Sequence, residues 1–170
     1  MELRAWQMAD IPSVAAYANN RKIADFLRDI FPFPYTPEDA RRYICSCIGQ
    51  GDHGQLCRAI VCDGHAVGSV AVQQGSDIAC RTAELGYWLA EPYWGRGLMS
   101  AAVRSICREA FSALGLERIY ATPFAENIAS RRVLEHAGFE MEGVLRRSVL
   151  KNGVVRDSCM YAKLRGSEME

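Results

Sequence analysis

Apolar residues recur along this chain in two periods, every second residue or every third and fourth, and the changes of period divide it into elements. Leu3 to Trp6 reads as a first strand. Asp10 then caps a helix whose apolar positions Ile11, Val14, Ala15 and Ala18 have helical spacing, and a second helical piece covers Ile23 to Leu27. Two prolines make Phe31-Pro32-Phe33-Pro34-Tyr35 an extended, aromatic-lined loop. Thr36-Pro37-Glu38-Asp39 opens the next helix with a capping hydroxyl, proline at the first helical position and acids in the first turn. Its apolar positions run through Ala40, Tyr43, Ile44, Cys47 and Ile48, and Gly49 is expected to end it.

Leu56 to Cys62 and Ala66 to Gln73 flank Asp63-Gly64, a two-residue turn suited to a right-twisted hairpin. Arg81 to Leu89 is the next strand, with Ala83, Leu85, Tyr87 and Leu89 on one face and Glu84, Gly86 and Trp88 on the other. A helix from about Gly97 to Leu114 buries Met99, Ala102, Val103, Ile106, Ala110 and Phe111, leaving Ser100, Arg104, Arg108 and Ser112 outside. Gly115-Leu116 closes it with a glycine stop. Glu117 to Pro123 is a strand, Asn127 caps a helix through His136, and Gly138-Phe139 repeats the stop. Phe139 to Leu150 and Val154 to Leu164 pair across Asn152-Gly153. The order β-α-α-β-β-β-α-β-α-β-β predicts one α/β domain over residues 1–170, an open mixed sheet of about seven strands with helices on both faces.

Composition narrows the partners. The 170 residues carry 20 Lys plus Arg against 20 Asp plus Glu, so no long-range field recruits nucleic acid or an anionic membrane. A small neutral or weakly charged partner is more natural. The N-terminus lacks a basic-then-apolar leader and no stretch has the roughly 20 apolar residues of a membrane span, which predicts a cytoplasmic protein, monomer or homodimer. The 7 cysteines include no C-x-x-C, and are expected to be mostly core fillers. His53, His65 and His136 are scattered, so no metal site is expected.

The chemistry concentrates where the strand ending in Leu89 runs into Tyr93-Trp94-Gly95-Arg96-Gly97-Leu98-Met99-Ser100. A glycine turn opening a helix presents free amides and the positive end of the dipole to a phosphate. A side chain at Gly95 or Gly97 would hold a pyrophosphate away from those amides. A dinucleotide fingerprint would need glycine at Ser100, and a P-loop would need a Gly-Lys-Ser/Thr ending; both are absent. The segment resembles the coenzyme A loop of the GNAT acyltransferases, Gln/Arg-x-x-Gly-x-Gly/Ala, with Trp94 in place of the polar first residue and Met99 in place of the small last one. Tryptophan there is similar to the RimJ/RimL branch; Met99 would narrow the cradle. Asn127-x-x-Ser130-x-x-x-Leu134-x-x-x-Gly138-Phe139 and Glu142-Gly143-Val144-Leu145-Arg146 resemble that branch too, and the element order matches the GNAT fold over essentially the whole chain.

The resemblance implies roles. Trp94, Gly95, Arg96, Gly97, Leu98, Met99 and Ser100 would hold the pyrophosphate of acetyl-coenzyme A (acetyl-CoA), Trp88 and Leu89 the pantetheine arm, with Asn127 and Ser130 on its other side. From the residues alone, Asn127 also serves as an N-cap, Trp94 packs under the turn, and Arg96 is solvated or steers the phosphates. The implied reaction is acetyl transfer by direct attack of a primary amine, a small molecule or a protein N-terminus, in a ternary complex. Glu84 is the candidate base, directly or through water: Gly86 and Trp88 beside it would desolvate its carboxylate and raise its pKa, whereas pairing with an arginine such as Arg81 would make it an ordinary strand carboxylate. Asp157 or solvent is the alternative base. A strand N–H near Leu89 would hold the thioester oxygen. Many GNAT enzymes place a tyrosine acid seven residues after the asparagine; Leu134 stands there, so the resemblance shifts thiolate stabilisation to Ser130. Asn20, Phe31, Phe33, Tyr35 and the last hairpin would bind the acceptor, or the aromatic loop would be a lid on the core. The competing function is a non-catalytic CoA-binding or regulatory module.

Overall fold

Turn and cap chemistry sets most element boundaries in the computed structural model, which describes residues 1–166; residues 167–170 of the expected domain lie outside the described part. The strands are β1 (Glu2–Arg4), β2 (Gln55–Cys62), β3 (His65–Gln74), β4 (Thr82–Leu89), β5 (Arg118–Ala121), β6 (Glu140–Lys151) and β7 (Val154–Leu164). The helices are α1 (Ile11–Ala18), α2 (Arg21–Ala24), α3 (Pro37–Gln50), α4 (Leu98–Ala113) and α5 (Ile128–His136). Asp63-Gly64 and Asn152-Gly153 all adopt positive φ, the twist that turns β2 into β3 and β6 into β7. Gly115 and Gly138 stand in the left-handed region after α4 and α5, as their stop signals require.

Several boundaries move. The first strand ends at Arg4 and Trp6 is buried beyond it; the second helical piece is Arg21–Ala24; β5 is Arg118–Ala121 and stops before Pro123. Gly49 does not end α3, which continues through Gln50 to Gly51 at φ 57°. A helical glycine costs only about 1 kcal/mol against alanine, so it does not by itself force the helix to end.

The seven strands form one sheet in the order β1-β2-β3-β4-β5-β7-β6, antiparallel throughout except for β4 beside β5. Helices cover both faces of the sheet except over β6, which is exposed along most of its length. On one, α4 contributes Met99, Ala102, Val103, Ile106 and Ala110 to a core with Leu85 and Leu89 of β4, and Leu134 of α5 joins them. On the other, Val14 and Ala18 of α1 and Ala40 and Ile44 of α3 pack with Trp6, Tyr35 and Trp88. Strand alternation alone places Leu89 and Trp88 in different cores. Ser100, expected outside, is buried, its Oγ donating to the Val133 carbonyl at 3.4 Å; a side chain this small fits between α4 and α5 where its polarity suggested solvent. Phe111 is half-buried rather than enclosed. Cys57, Cys62, Cys107 and Cys159 fill core positions, whereas Cys45 and Cys80 are exposed. No helix among the described residues is long and apolar enough to cross a membrane.

Candidate functional site

A gap opens in the middle of the sheet. β4 pairs with β5 only from Thr82 to Glu84, while its pairing with β3 continues to Leu89. Ala90 N donates to the Val67 carbonyl at 2.8 Å, so the antiparallel alternation turns the N–H groups of Leu89 and Tyr87 away from β3, toward the side β5 has left. Trp94, expected to pack beneath the turn, is 45% exposed and donates its indole N–H to the Leu89 carbonyl at 2.7 Å. That bond fixes the glycine turn to the end of β4 and leaves the Leu89 N–H as the strand's last unclaimed donor toward the gap.

The turn delivers α4 to the same place. Gly95 and Gly97 both have φ of 72°, and a Cβ added to either meets no protein atom within 4 Å. Gly97 is the N-cap of this 16-residue helix and no side chain bonds its first-turn amides. Exposed left-handed glycines followed by uncapped amides have the chemistry of an anion cradle. The Met99 side chain is buried in the core and does not narrow the turn as expected. Arg96 contacts the protein after all, its guanidinium lying 5.4 Å from the Tyr93 ring centroid at the cradle's edge.

Across the gap stands the first turn of α5. Asn127 Oδ1 accepts from Ser130 N at 3.1 Å, so the asparagine is the helix cap. Ser130 Oγ lies 2.7 Å from Tyr87 Oη. The strand alternation places Tyr87 only on a face; its link to the serine needs two elements 43 residues apart in sequence, and no local pattern carries it. Burial pushes the Tyr87 phenol pKa up, against the opposing hydrogen bond to Ser130.

Glu84 and the expected acceptor residues lie on the other face of the sheet. Glu84 is not enclosed by apolar neighbours: its side chain is 28% exposed and accepts from Arg28 Nη2, while Arg81 pairs with Glu117 instead. The segment from Asp25 to Tyr35 reaches three places, with Arg28 on Glu84, Asp29 accepting from Lys151 Nζ at 2.7 Å, and Asp25 accepting from Asn152 Nδ2 at 3.0 Å. Phe31, Phe33, Asp25, Asp29 and Lys151 line a cleft of about 300 Å³ between this segment and the tip of the β6–β7 hairpin. The expected loop and hairpin therefore meet. Asn20 does not line that cleft: it caps α2 and donates to Glu91 at 2.8 Å. Hydrogen bonds from Lys22 and Asn20 hold the Glu91 carboxyl below the usual carboxylate range. Tyr35 is buried, its pKa pushed up to about 12 by that burial, and it supports Phe31 at a ring distance of 4.8 Å. Phe33 is exposed. Asp157 accepts from Arg147 N at 2.7 Å, bracing the register irregularity of β6 between Leu145 and Val149. Sequence reasoning missed Arg28 and Lys151, whose charges gain meaning only from the carboxylates opposite them. Among the described residues no group of three His, Cys, Asp or Glu side chains forms a metal set.

Residues 1–140 match the family model described as an acetyltransferase (GNAT) domain. The probable N-acetyltransferase YjcK of Bacillus subtilis (strain 168) is 41% identical over 102 residues, which cover 60% of this chain and 56% of that protein. The chain thus spans little more than half of that relative's length. The putative ribosomal N-acetyltransferase YdaF of the same organism is 30% identical over 149 residues, 88% of this chain and 75% of that protein. Among solved structures, Mycobacterium smegmatis RimJ in complex with CoA-disulfide is similar at a TM-score of 0.87 and 28% identity, covering 99% of this chain and 83% of that one.

Proposed function

The chain belongs to the GNAT acetyltransferase family, and we propose that it is an acetyl-CoA-dependent N-acetyltransferase that works on a primary amine by direct attack in a ternary complex. The observation that carries this reading is the junction of the β4–β5 gap with the uncapped N-terminus of α4: an extended slot whose strand donors are free, ending at a glycine cradle. These residues fit CoA, whose pyrophosphate would lie on the amides from Gly95 to Ser100, with Arg96 at the edge. Trp88 and Leu89 would flank the pantetheine arm through their backbone, with the Asn127 amide on the other side.

Acetyl-CoA supplies an acetyl group activated as a thioester. The Leu89 N–H faces the gap and would donate to the carbonyl oxygen as negative charge develops there. Ser130 Oγ–H, in the first turn of α5, would stabilise the departing sulfur, aided by the helix dipole. Glu84 would take the amine proton, directly or through a water, once the acceptor displaces the exposed Arg28 guanidinium. The cleft between the Phe31 loop and the last hairpin would orient the acceptor. Both a small amine and a protein N-terminus fit the reading; the name of YdaF, a putative ribosomal N-acetyltransferase, supports the second.

A non-catalytic CoA-binding module is the second reading, favoured by Leu134: it is fully buried where many GNAT enzymes carry a tyrosine acid. Thiol release from acetyl-CoA with a panel of amines and N-terminal peptides decides between them. Amine-dependent release supports the enzyme; tight CoA binding without turnover supports the module. In an active enzyme, Glu84→Gln should lower kcat/KM about 100-fold at neutral pH, less at high pH where the amine is already neutral. A pH–rate profile parallel to wild type would move the proton acceptor to solvent.

A further inference from the structure

Ser130 is gripped twice. Its N–H is taken by Asn127 Oδ1 at 3.1 Å, and its hydroxyl meets the Tyr87 hydroxyl at 2.7 Å. Tyr87 Oη also lies 3.2 Å from the Ser130 carbonyl, so the phenol has two acceptors on one residue, and the hydroxyl is the nearer. A hydroxyl has one hydrogen to give and two lone pairs to receive with. Either hydroxyl can give the hydrogen; we assign it to the phenol, intrinsically the stronger acid, which makes Ser130 Oγ the acceptor. The serine's own hydrogen is then excluded from the Tyr87 direction. Without that partner, a serine in the first turn of a helix is free to bond nearby backbone instead.

The position of Tyr87 gives the contact its meaning. It stands three residues beyond Glu84, where pairing with β5 ends, and so lies beside the gap and not beneath a continuous sheet. Burial raises its pKa, with Tyr161 acting in the same direction, so the phenol keeps its hydrogen at and well above neutral pH.

We propose that Tyr87 is a positioning residue for Ser130: by donating to Ser130 Oγ it turns the serine's hydrogen toward the β4–β5 gap, where it stabilises the thiolate of CoA. The inference deepens the acetyl-transfer reading of the same site and depends on it. Tyr87 touches neither acetyl donor nor amine; it acts through the serine. Two rigid elements, a central strand and a capped helix end, hold the donor in place before any ligand arrives.

The test reads the ionisation of the CoA thiol bound to the whole protein, followed by ultraviolet thiolate absorbance, in wild type, Tyr87→Phe, Ser130→Ala and the double variant. Tyr87→Phe keeps the ring and its packing, and Ser130→Ala probes the same bond from its other end. Each should raise the ionisation midpoint by about one pH unit, a tenfold loss of thiolate at a given pH. The double variant should lose no more than either alone, because both remove one interaction. Ser130→Thr keeps a hydroxyl and should retain the wild-type midpoint only where Tyr87 is present. CoA affinity by calorimetry should change less than a few-fold in Tyr87→Phe, while kcat falls about tenfold at unchanged KM for acetyl-CoA. A wild-type midpoint in Tyr87→Phe, or additive shifts in the double variant, would make Tyr87 a packing residue and overturn the inference. Failure of the wild-type protein to bind CoA would overturn the reading of the site and the inference together.

Discussion

The helices α4 and α5 pack side by side beside the same gap, and their N-termini are finished in opposite ways. Asn127 closes α5 with its own side chain, accepting from Ser130 N. Gly97 leaves α4 open, in a left-handed conformation with no side chain on the first-turn amides. Glycine at an N-cap costs only roughly a few tenths of a kcal/mol against the best capping residues, so the fold loses little by leaving α4 unfinished. The difference teaches where a site can form: a capped end uses its amides for stability, and an exposed uncapped end leaves them open to an anion. α3 shows the fully closed form, with Thr36 Oγ1 accepting from Asp39 N while Asp39 accepts from Thr36 N.

The largest effect should come from filling the open end. Gly97→Val should lower CoA affinity about 100-fold or more, near 2.8 kcal/mol by calorimetry. A Cβ at this position meets no protein atom within 4 Å, so beyond backbone strain at φ 72° the loss would belong to the ligand. Unchanged affinity would remove the cradle from the site and end the contrast between the two helices.

Opening the closed end should act on the fold instead. Asn127→Ala should cost about 1 kcal/mol of stability, read by denaturant unfolding, because Ser130 N loses its acceptor. An affinity loss for CoA larger than the stability loss would show that the Asn127 amide also holds the ligand. At the rim of the open end, Arg96→Ala should weaken CoA binding only about two- to fivefold, and the difference should shrink as salt rises. A salt-independent loss would assign Arg96 to the Tyr93 contact alone.

The smallest effect concerns the closed end of α3. Hydrogen bonds from Thr36, with help from Arg42, hold the Asp39 carboxyl below the usual carboxylate range. A carboxyl with a lowered folded pKa adds stability above its unfolded value, and that stability is lost as pH falls through the lower folded value. The melting temperature of wild type should therefore exceed that of Asp39→Asn at neutral pH and converge on it in acid. A constant gap across the acid range would mean that the amide caps as well as the carboxylate.

Turns, caps and stops were legible because they are local chemistry. Asp63-Gly64, Asn152-Gly153, Gly115 and Gly138 each demand a conformation that few other residues accept, and Thr36 and Asn127 cap helices with side chains a few bonds from their targets. Even there, glycine spacing misled at Gly49, since a glycine ends a helix only where the chain also leaves it, and that point is Gly51.

What the sequence determined about this protein is therefore its element order, its turns and the glycine loop that opens α4, because each is decided within a few residues by backbone sterics and hydrogen-bond reach. Tertiary structure alone decided that Ser100 is buried between two helices, that Arg28 and not Arg81 meets Glu84, that Trp94 ties the loop to Leu89, and that Tyr87 meets Ser130. Periodicity states which face of its own element a side chain occupies. It cannot state what another element brings to that face, since the partner's distance along the chain leaves no local trace, and polar pairs in particular are made only when two elements dock.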